Sequence, residues 1–297
     1  MFDSNAICAD ISASIASPFV LASDRAVGGG DINETYLLLG QCGRKFFLKL
    51  NRVSKLDMFI AEAEGLLELD KAKVIRTPKP VCYGETHQHA YLVMEHIHIS
   101  SGSVAAETLF GQQLAHLHQF DSKGRGYGWH RDNTIGVTPQ LNNWSQDWLS
   151  FLAEQRLGYQ LELAASKGAS RDLLNKGDEL LKGLGFYFES YDPEPSLLHG
   201  DLWSGNYCFD ENDSAVIFDP AVYYGDRESD IAMTELFGGF SARFYSAYEQ
   251  VWPLDPGYSR RRDIYKLYHI LNHFNMFGGG YASQAGNILD KLLIYMP

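Results

Sequence analysis

The sequence has no long apolar run. Ala90-Tyr91-Leu92-Val93-Met94 is typical of its longest stretches, and it ends at Glu95. A membrane-spanning helix needs about 18 apolar residues in a row, so none is expected. Asp3 and Asp10 precede the first basic residue, Arg25, the reverse of the basic opening of a secretory signal. Together these absences point to the cytosol. Cysteine is scarce: Cys8, Cys42, Cys82 and Cys208 include no C-x-x-C pair. They read as reduced thiols, mostly packing residues, with Cys208 set apart because it lies beside the loop considered below. Positive charge is in deficit, with 25 Lys and Arg against 37 Asp and Glu and a formal net charge of −12. A chain of that sign repels phosphate backbones and anionic lipid, which argues against nucleic acid or a membrane as partner. Internal repeats, low-complexity tracts and long linkers are absent too.

What remains is an ordinary globular composition, 45% hydrophobic and 21% charged over 297 residues, more chain than one core comfortably holds. The texture changes near Ile97–Gly102. Before it, strand formers cluster at 17–27, 34–39, 45–50, 81–83 and 91–97, with Gln41-Cys42-Gly43 as a hairpin turn. Leu56, Phe59, Ile60, Ala63, Leu66 and Leu67 keep a spacing of three to four, which predicts a helix over 55–69 that Pro78 and Pro80 stop. Beyond the change, helices are expected at 104–120 on a stripe of Leu109, Leu114 and Leu117, then at 144–165, at 171–189 and from 229 onward. One strand–loop–strand interrupts them at 197–218. The expectation is an α+β fold, with a small β-rich lobe over residues 1–97 and a larger helical lobe over 98–297 that holds one β-hairpin among its helices.

The strongest chemical signal is His199-Gly200-Asp201-Leu202-Trp203-Ser204-Gly205-Asn206, of the form H-x-D-x-x-x-x-N. Thirteen residues beyond Asn206, Asp219 closes the apolar run Ala215-Val216-Ile217-Phe218. Phosphoryl transfer from ATP needs one carboxylate to take a hydroxyl proton, and an Asn with a second Asp to hold Mg²⁺. Asp201 fits the first role, Asn206 and Asp219 the second. An acidic surface turn would account for Asp210 to Asp213 but not for this spacing.

Lys49, inside Phe46-Phe47-Leu48-Lys49-Leu50, is a charge in an apolar strand. In a kinase such a lysine pairs with ATP phosphates and with a glutamate on the next helix, here Glu62 or Glu64. Gly28-Gly29-Gly30 lies between two strands with no G-K-[ST] after it, so it is neither a Walker A loop nor a dinucleotide fingerprint, but it suits a flap over phosphates. Met94-Glu95-His96-Ile97 stands at the lobe boundary, where a linker can offer its backbone to an adenine edge. In Gly225-Asp226-Arg227-Glu228-Ser229-Asp230, Asp230 either caps the following helix or braces the His199 loop, and Ser229 is the other cap candidate. The pairs His87/His89, His96/His98, His116/His118 and His269/His273 read as packing or surface residues. Only the last has i, i+4 spacing, and it lacks the Glu of H-E-x-x-H. Arg260-Arg261-Arg262 reads as a solvated helix start.

These residues resemble those of protein-kinase-like small-molecule phosphotransferases, and most closely the fructosamine (ketosamine) kinase family. The segments that carry the resemblance run along nearly the whole chain. They are Gly28-Gly29-Gly30, Phe59 through Leu66, Leu92 to Glu95, Leu114 to His118, Asn133-Thr134-Ile135-Gly136, Pro139-Gln140, Asn142 through Trp148 and Arg156-Leu157. The most specific are H-G-D-L-W-S-G-N at 199–206 and D-P-A-V-Y-Y-G-D-R-E at 219–228.

The resemblance implies ATP- and Mg²⁺-dependent phosphorylation of O-3 on the sugar of a ketoamine, a small molecule or a glycated lysine on protein, and hence release of the amine and protein deglycation. It implies Asp201 as proton acceptor, Asn206 and Asp219 as Mg²⁺ ligands, Lys49 with Glu62 as the phosphate-positioning pair, Glu95 to Ile97 as the adenine linker, and His199 and Asp230 as supports. Trp203, two residues past the base, is placed to stack on the sugar's apolar face. Gly200 stands where regulated protein kinases carry Arg, Asp219-Pro220-Ala221 replaces D-F-G, and no A-P-E follows. These departures point to a constitutive small-molecule kinase. Asp31 follows the glycines where some family members have Cys, which removes a redox switch there. The nearest rival is a kinase of the same fold acting on an aminoglycoside or choline, which net charge does not separate. A rival of another class is a catalytically dead nucleotide-binding module, against which the intact Lys49, Asp201, Asn206 and Asp219 argue.

Overall fold

A computed structural model describes residues 2–28 and 32–296. Helix α1 (Ser4–Ser14) precedes β1 (Leu21–Ala26), β2 (Glu34–Gly40) and β3 (Lys45–Arg52). Helix α2 (Leu56–Lys71) follows, then β4 (Pro80–Glu85), β5 (His89–Glu95) and β6 (Ile99–Ser100). Helix α3 (Val104–His118) leads to the hairpin of β7 (Asn133–Ile135) and β8 (Thr138–Gln140). Helix α4 (Trp148–Leu152) runs through a π-helical turn at Ala153–Gly158 into α5 (Tyr159–Ser166). After α6 (Arg171–Gly183) come β9 (Ser196–Leu198), β10 (Tyr207–Asp210), β11 (Ala215–Ile217) and β12 (Tyr223–Gly225). The chain continues in α7 (Glu228–Thr234), α8 (Ala242–Val251), α9 (Tyr258–Phe277) and α10 (Tyr281–Tyr295). No helix among the described residues is long and apolar enough to cross a membrane.

Contacts divide the chain into two units. One is Met1–Gly102 with Cys208–Asp219, and the other is Ser103–Tyr207 with Pro220–Pro297. The single cut expected at 97/98 is therefore corrected. The segment Cys208–Asp219, expected as part of a hairpin among helices, joins the first unit, because β10 finds its backbone partner in β6 and Ile217 N–H donates to the carbonyl of Arg76.

The first unit is built on an antiparallel sheet in the order β1-β2-β3-β5-β4. Strand side chains alternate between faces, and here both faces are covered. Phe46, Leu48 and Leu50 of β3 with Tyr91 and Val93 of β5 pack on Ile7 and Ile11 of α1. The opposite face sets Ala90, Leu92 and Met94 of β5, with Phe47, against Met58, Phe59, Ala63 and Leu66 of α2. Lys49 shares this second face by period, so it points toward α2. Helix α1 was not anticipated. The signal for it lay in β3, whose apolar residues on both faces demand a cover on each side. Helix α2 ends at Lys71, and Lys73 takes φ +54, well before Pro78 and Pro80. The prolines do not stop it, and Pro80 instead opens β4 on the sheet edge, where a missing N–H costs nothing.

In the second unit the buried stripe of α3 is Phe110, Leu114 and Leu117, whereas Leu109 is 48% exposed and faces away. The expected 144–165 helix begins at Trp148, capped by Asp147, whose carboxylate accepts from Ser150 N–H at 2.7 Å. Strand β9 pairs with β12, not with β10. Arg261 is also corrected: it is 2% exposed, not solvated. Its guanidinium bridges both carboxylate oxygens of Glu228 at 2.8 Å and reaches Asp255 at 2.7 Å.

Candidate active site

In the first unit, the period that turns Lys49 toward α2 brings it to Glu62, Nζ to Oε1 at 2.6 Å, and to the Asp219 carboxylate. Glu62 is thus the partner that the sequence left open against Glu64. Burial works against the ammonium charge, but Asp219 and Glu62 outweigh it and hold Lys49 protonated well above its usual range. Asp219 sits at φ +56, a left-handed conformation uncommon for a residue with a side chain.

Beside this cluster lies a cavity of about 450 Å³ lined by Val27, Leu37, Phe47, Met94, Ile97 and Phe218, with Asp219 at its wall. Apolar walls of that size suit a planar base. Basic groups Arg25, Lys45, His96 and His98 also line it, and burial together with these charges lowers His96 below the usual histidine range. Residues 96–98 belong to no helix or strand. The Glu95 side chain is held by Arg76, which also grips Asp210, and Asp210 accepts from the backbone N–H groups of Asn212 and Ser214. Arg76 was missed by sequence reading, because nothing local marks an arginine whose partners lie 19 and 134 residues away. Gly28 precedes the edge of the described chain, and Gly29, Gly30 and Asp31 lie outside the described residues. Burial pushes the Cys208 thiol up to about 11, which makes it a lining residue and not a nucleophile.

In the second unit, the loop at 199–206 is fixed from below by Asp230. Its Oδ2 accepts from His199 N–H at 2.7 Å and its Oδ1 from Gly200 N–H at 2.8 Å. Of the two roles left open for Asp230, bracing is the one observed. Oδ2 also takes His118 Nε2 at 3.2 Å, and His118 Nδ1 lies 2.8 Å from Tyr248 Oη. A carboxylate only accepts, so Nε2 carries the proton and Nδ1 accepts from the tyrosine. Burial lowers His118, which keeps it neutral. Burial would raise Asp230, but His118, His199 and the Gly200 N–H hold it below the usual carboxylate range.

Gly200 has φ +82, and a Cβ there would meet the Ala221 carbonyl oxygen at 2.0 Å, so no side chain fits at the position where protein kinases carry Arg. Within the loop, Asn206 Nδ2 donates to the Asp201 carbonyl at 2.8 Å and approaches its Oδ2 at 3.3 Å. That geometry spends the nitrogen and leaves the amide oxygen as the end for a cation. Trp203 N–H donates to the Asp201 carbonyl, and its ring lies over Gly205, where a Cβ would come within 2.3 Å.

A buried polar network holds the chain just after Pro220. Asn133 donates to the Val222 carbonyl at 2.8 Å, and Gln140 donates to Asn133 at 2.8 Å and to the Ala221 carbonyl at 3.0 Å. Asn142 joins Asn133, and Arg156 joins Asn142 while stacking on Tyr223. The segment Asp226-Arg227-Glu228 is likewise internal. Asp226 accepts from the hydroxyls of Tyr191 and Tyr265, and Arg227 donates to the carbonyls of Trp252 and Pro253. The motifs around Asn133, Gln140, Asn142 and Arg156 therefore hold backbone in place, and sequence alone did not reveal which backbone.

Three comparisons bear on this arrangement. The fructosamine kinase family model matches residues 3–295. A probable ketoamine kinase of Synechocystis is 46% identical over 97% of this chain and 96% of its own. A chloroplastic protein-ribulosamine 3-kinase of Arabidopsis thaliana is 44% identical over 90% of this chain and 82% of its own. Among solved structures, a putative fructosamine-3-kinase from Haemophilus somnus superposes with a TM-score of 0.89 at 29% identity, covering 97% of this chain and 96% of the other. An aminoglycoside phosphotransferase shares the protein-kinase-like fold alone, with a TM-score of 0.65 at 16% identity over 97% and 98% of the two chains. The chain belongs to the fructosamine kinase family.

Proposed function

We propose that the protein transfers the γ-phosphoryl group of ATP to the O-3 hydroxyl on the sugar of a ketoamine, a ribulosamine or fructosamine, free or attached to protein lysine. The observation that carries this reading is the buried Lys49 held between Glu62 and Asp219, with Asp219 also lining a base-sized cavity. In a chain of this family, that cluster is the phosphate-positioning device of a working kinase.

Lys49 presents its ammonium to the ATP phosphates, and the walls of Val27, Phe47 and Met94 receive the adenine. The backbone of 95–97 takes the adenine edge. Asp201 accepts the proton of the attacking hydroxyl as the new O–P bond forms and the bond to the ADP oxygen breaks. Asp230 and His199 hold the Asp201 loop in its working shape.

Each unit offers one hard oxygen donor for a metal: the Asn206 amide oxygen in the second and the Asp219 carboxylate in the first. Among the described residues no group of three His, Cys, Asp or Glu forms a closed cage. Oxygen donors of this kind suit Mg²⁺, which takes one or two protein oxygens and completes its shell with phosphate and water. Bound there, Mg²⁺ supplies neutralisation of phosphate charge. Phosphorylation at O-3 makes the adduct labile, so the biological role is deglycation of amines.

The test is ATP consumption with Mg²⁺ against ribuloselysine, fructoselysine, choline, an aminoglycoside and buffer. Turnover with a ketoamine and none with the other alcohols is expected. Turnover with choline or the aminoglycoside alone would overturn the substrate class, and no turnover with bound ATP would favour a regulatory module.

A further inference from the structure

The proposed mechanism leaves unused a row of aromatic rings in the second unit that begins at the catalytic loop. Trp203 meets Phe237 edge-on with centroids 6.0 Å apart, Phe237 lies 4.8 Å from His273, and His273 lies 5.1 Å from Tyr281 and 5.8 Å from Phe277. The loop after α7 thus puts Phe237 beside the indole of Trp203, and the last turns of α9 and the start of α10 extend the row from it with His273, Phe277 and Tyr281. The row is not buried: Phe237 is 37% exposed and Phe277 is 54% exposed.

Two further observations mark it as more than packing. Phe237 sits at φ +53, followed by Gly238 at +108 and Gly239 at +71. A left-handed phenylalanine is strained, and strain of this kind persists where the surroundings over-determine it, commonly at ligand sites. The ring is partly covered by Trp203 and His273 and keeps 37% of its surface open to solvent. His273 Nδ1 lies 2.8 Å from the His269 carbonyl oxygen. A carbonyl only accepts, so Nδ1 carries the proton and a neutral ring leaves Nε2 as an acceptor. Burial lowers His273 and keeps it neutral. The row therefore combines aromatic faces, which attract cations, with a nitrogen acceptor able to take an N–H.

We infer that Phe237, His273 and Tyr281, continuing outward from Trp203, form a subsite for the amine side of the acceptor, a secondary ammonium carrying an alkyl substituent. This rests on the ketoamine reading above and extends it. The sugar end of a ketoamine is polar and small, whereas its nitrogen is cationic and bears a chain of variable length, as on a lysine side chain. The ring faces receive the cation and the methylenes, and His273 Nε2 accepts an N–H from the ammonium.

The experiment measures KM for two ribulosamines that share the sugar, one on methylamine and one on Nα-acetyllysine, with ATP saturating. In the wild type the long-chain adduct has the lower KM. In Phe237→Ala its KM rises about tenfold while that of the methylamine adduct rises less than threefold, and KM for ATP does not move. Phe237→Gly relieves the φ strain and serves as the folding control: it keeps the wild-type thermal midpoint and shows the same KM pattern. His273→Phe, which keeps a ring and removes the acceptor, raises KM for both adducts. A wild type that phosphorylates neither adduct sinks the ketoamine reading and this subsite with it. A wild type that phosphorylates both, with variants that leave the ratio of the two KM values unchanged, overturns the subsite alone.

Discussion

The two units position their functional groups by different means. In the first, one sheet does the work: strand period decides that Lys49 faces α2, and helix period decides that Glu62 meets it. In the second, Asp230 and His118 brace the loop at 199–206, while a set of amides with Arg156 holds the chain just after Pro220, all drawn from elements far apart in the chain. The first scheme is carried by regular structure with one buried charge cluster. The second is carried by polar groups that must all be satisfied at once. Errors in the first should change what the nucleotide meets, and errors in the second should change catalysis with the nucleotide site untouched.

The sharpest test is Asp201→Asn. Turnover should fall by about a thousandfold or more, while the ATP dissociation constant, measured by calorimetry, stays within a factor of about two. Loss of ATP affinity in that variant would break the separation. Lys49→Met probes the other side. It leaves Glu62 and Asp219 without their cation, which costs about 3 kcal/mol for a buried pair, and it should lower the thermal midpoint as well as raise KM for ATP.

Asp230→Asn replaces one of the two acceptors of the His199 and Gly200 N–H groups by a donor. A loss of about 1–3 kcal/mol and a drop in kcat of about tenfold or more are expected, with KM for ATP unchanged. An altered KM for ATP would show that the loop and the nucleotide site are not independent. Arg76→Met should raise KM for ATP about fivefold by releasing Glu95 and Asp210, and should lower kcat as well, because Asp210 lies in the hairpin that leads to Asp219.

A further effect, on stability alone, comes with pH. His269 is buried with no hydrogen-bond partner for Nδ1, and burial pushes its pKa down to about 3. Unfolded, it titrates near 6.5. The folded ring is neutral where the unfolded one gains a proton, so stability is full above about 6.5 and falls as pH drops below it, by about 1.4 kcal/mol per unit. Thermal midpoints at pH 7.5 and 5 should converge in His269→Phe. An unchanged gap would assign the acid sensitivity to other groups, such as His118.

This contrast also accounts for what could be seen before any coordinates. The Lys49 strand, the α2 glutamate, the Gln41-Cys42-Gly43 turn and the H-G-D-L-W-S-G-N loop were legible because each is a local pattern of apolar period, turn chemistry or fixed spacing. Helix α1 escaped because its amphipathic signal is weak, and only the two-sided apolar strand β3 implied it. The joining of Cys208–Asp219 to the first unit escaped because it depends on β10 choosing β6 as its neighbour. Arg261 read as solvated because its charge partners, Glu228 and Asp255, come from other parts of the chain. Long-range polar pairing has no period, and that is where sequence reading stopped.

Arg76 has one more consequence. The same guanidinium holds Glu95, at the start of the 95–97 linker, and Asp210, in the hairpin whose second strand runs on to Phe218 and Asp219. A base settling against Met94 and Ile97 presses on one end of this clasp, and the carboxylate that faces Lys49 hangs from the other. On the proposed reading, nucleotide recognition and the aim of Asp219 would therefore share a mechanical linkage. A poorly fitting base would misdirect the phosphate end of the cavity as well as bind weakly, so discrimination among nucleotides would be felt in the chemical step and not only in occupancy.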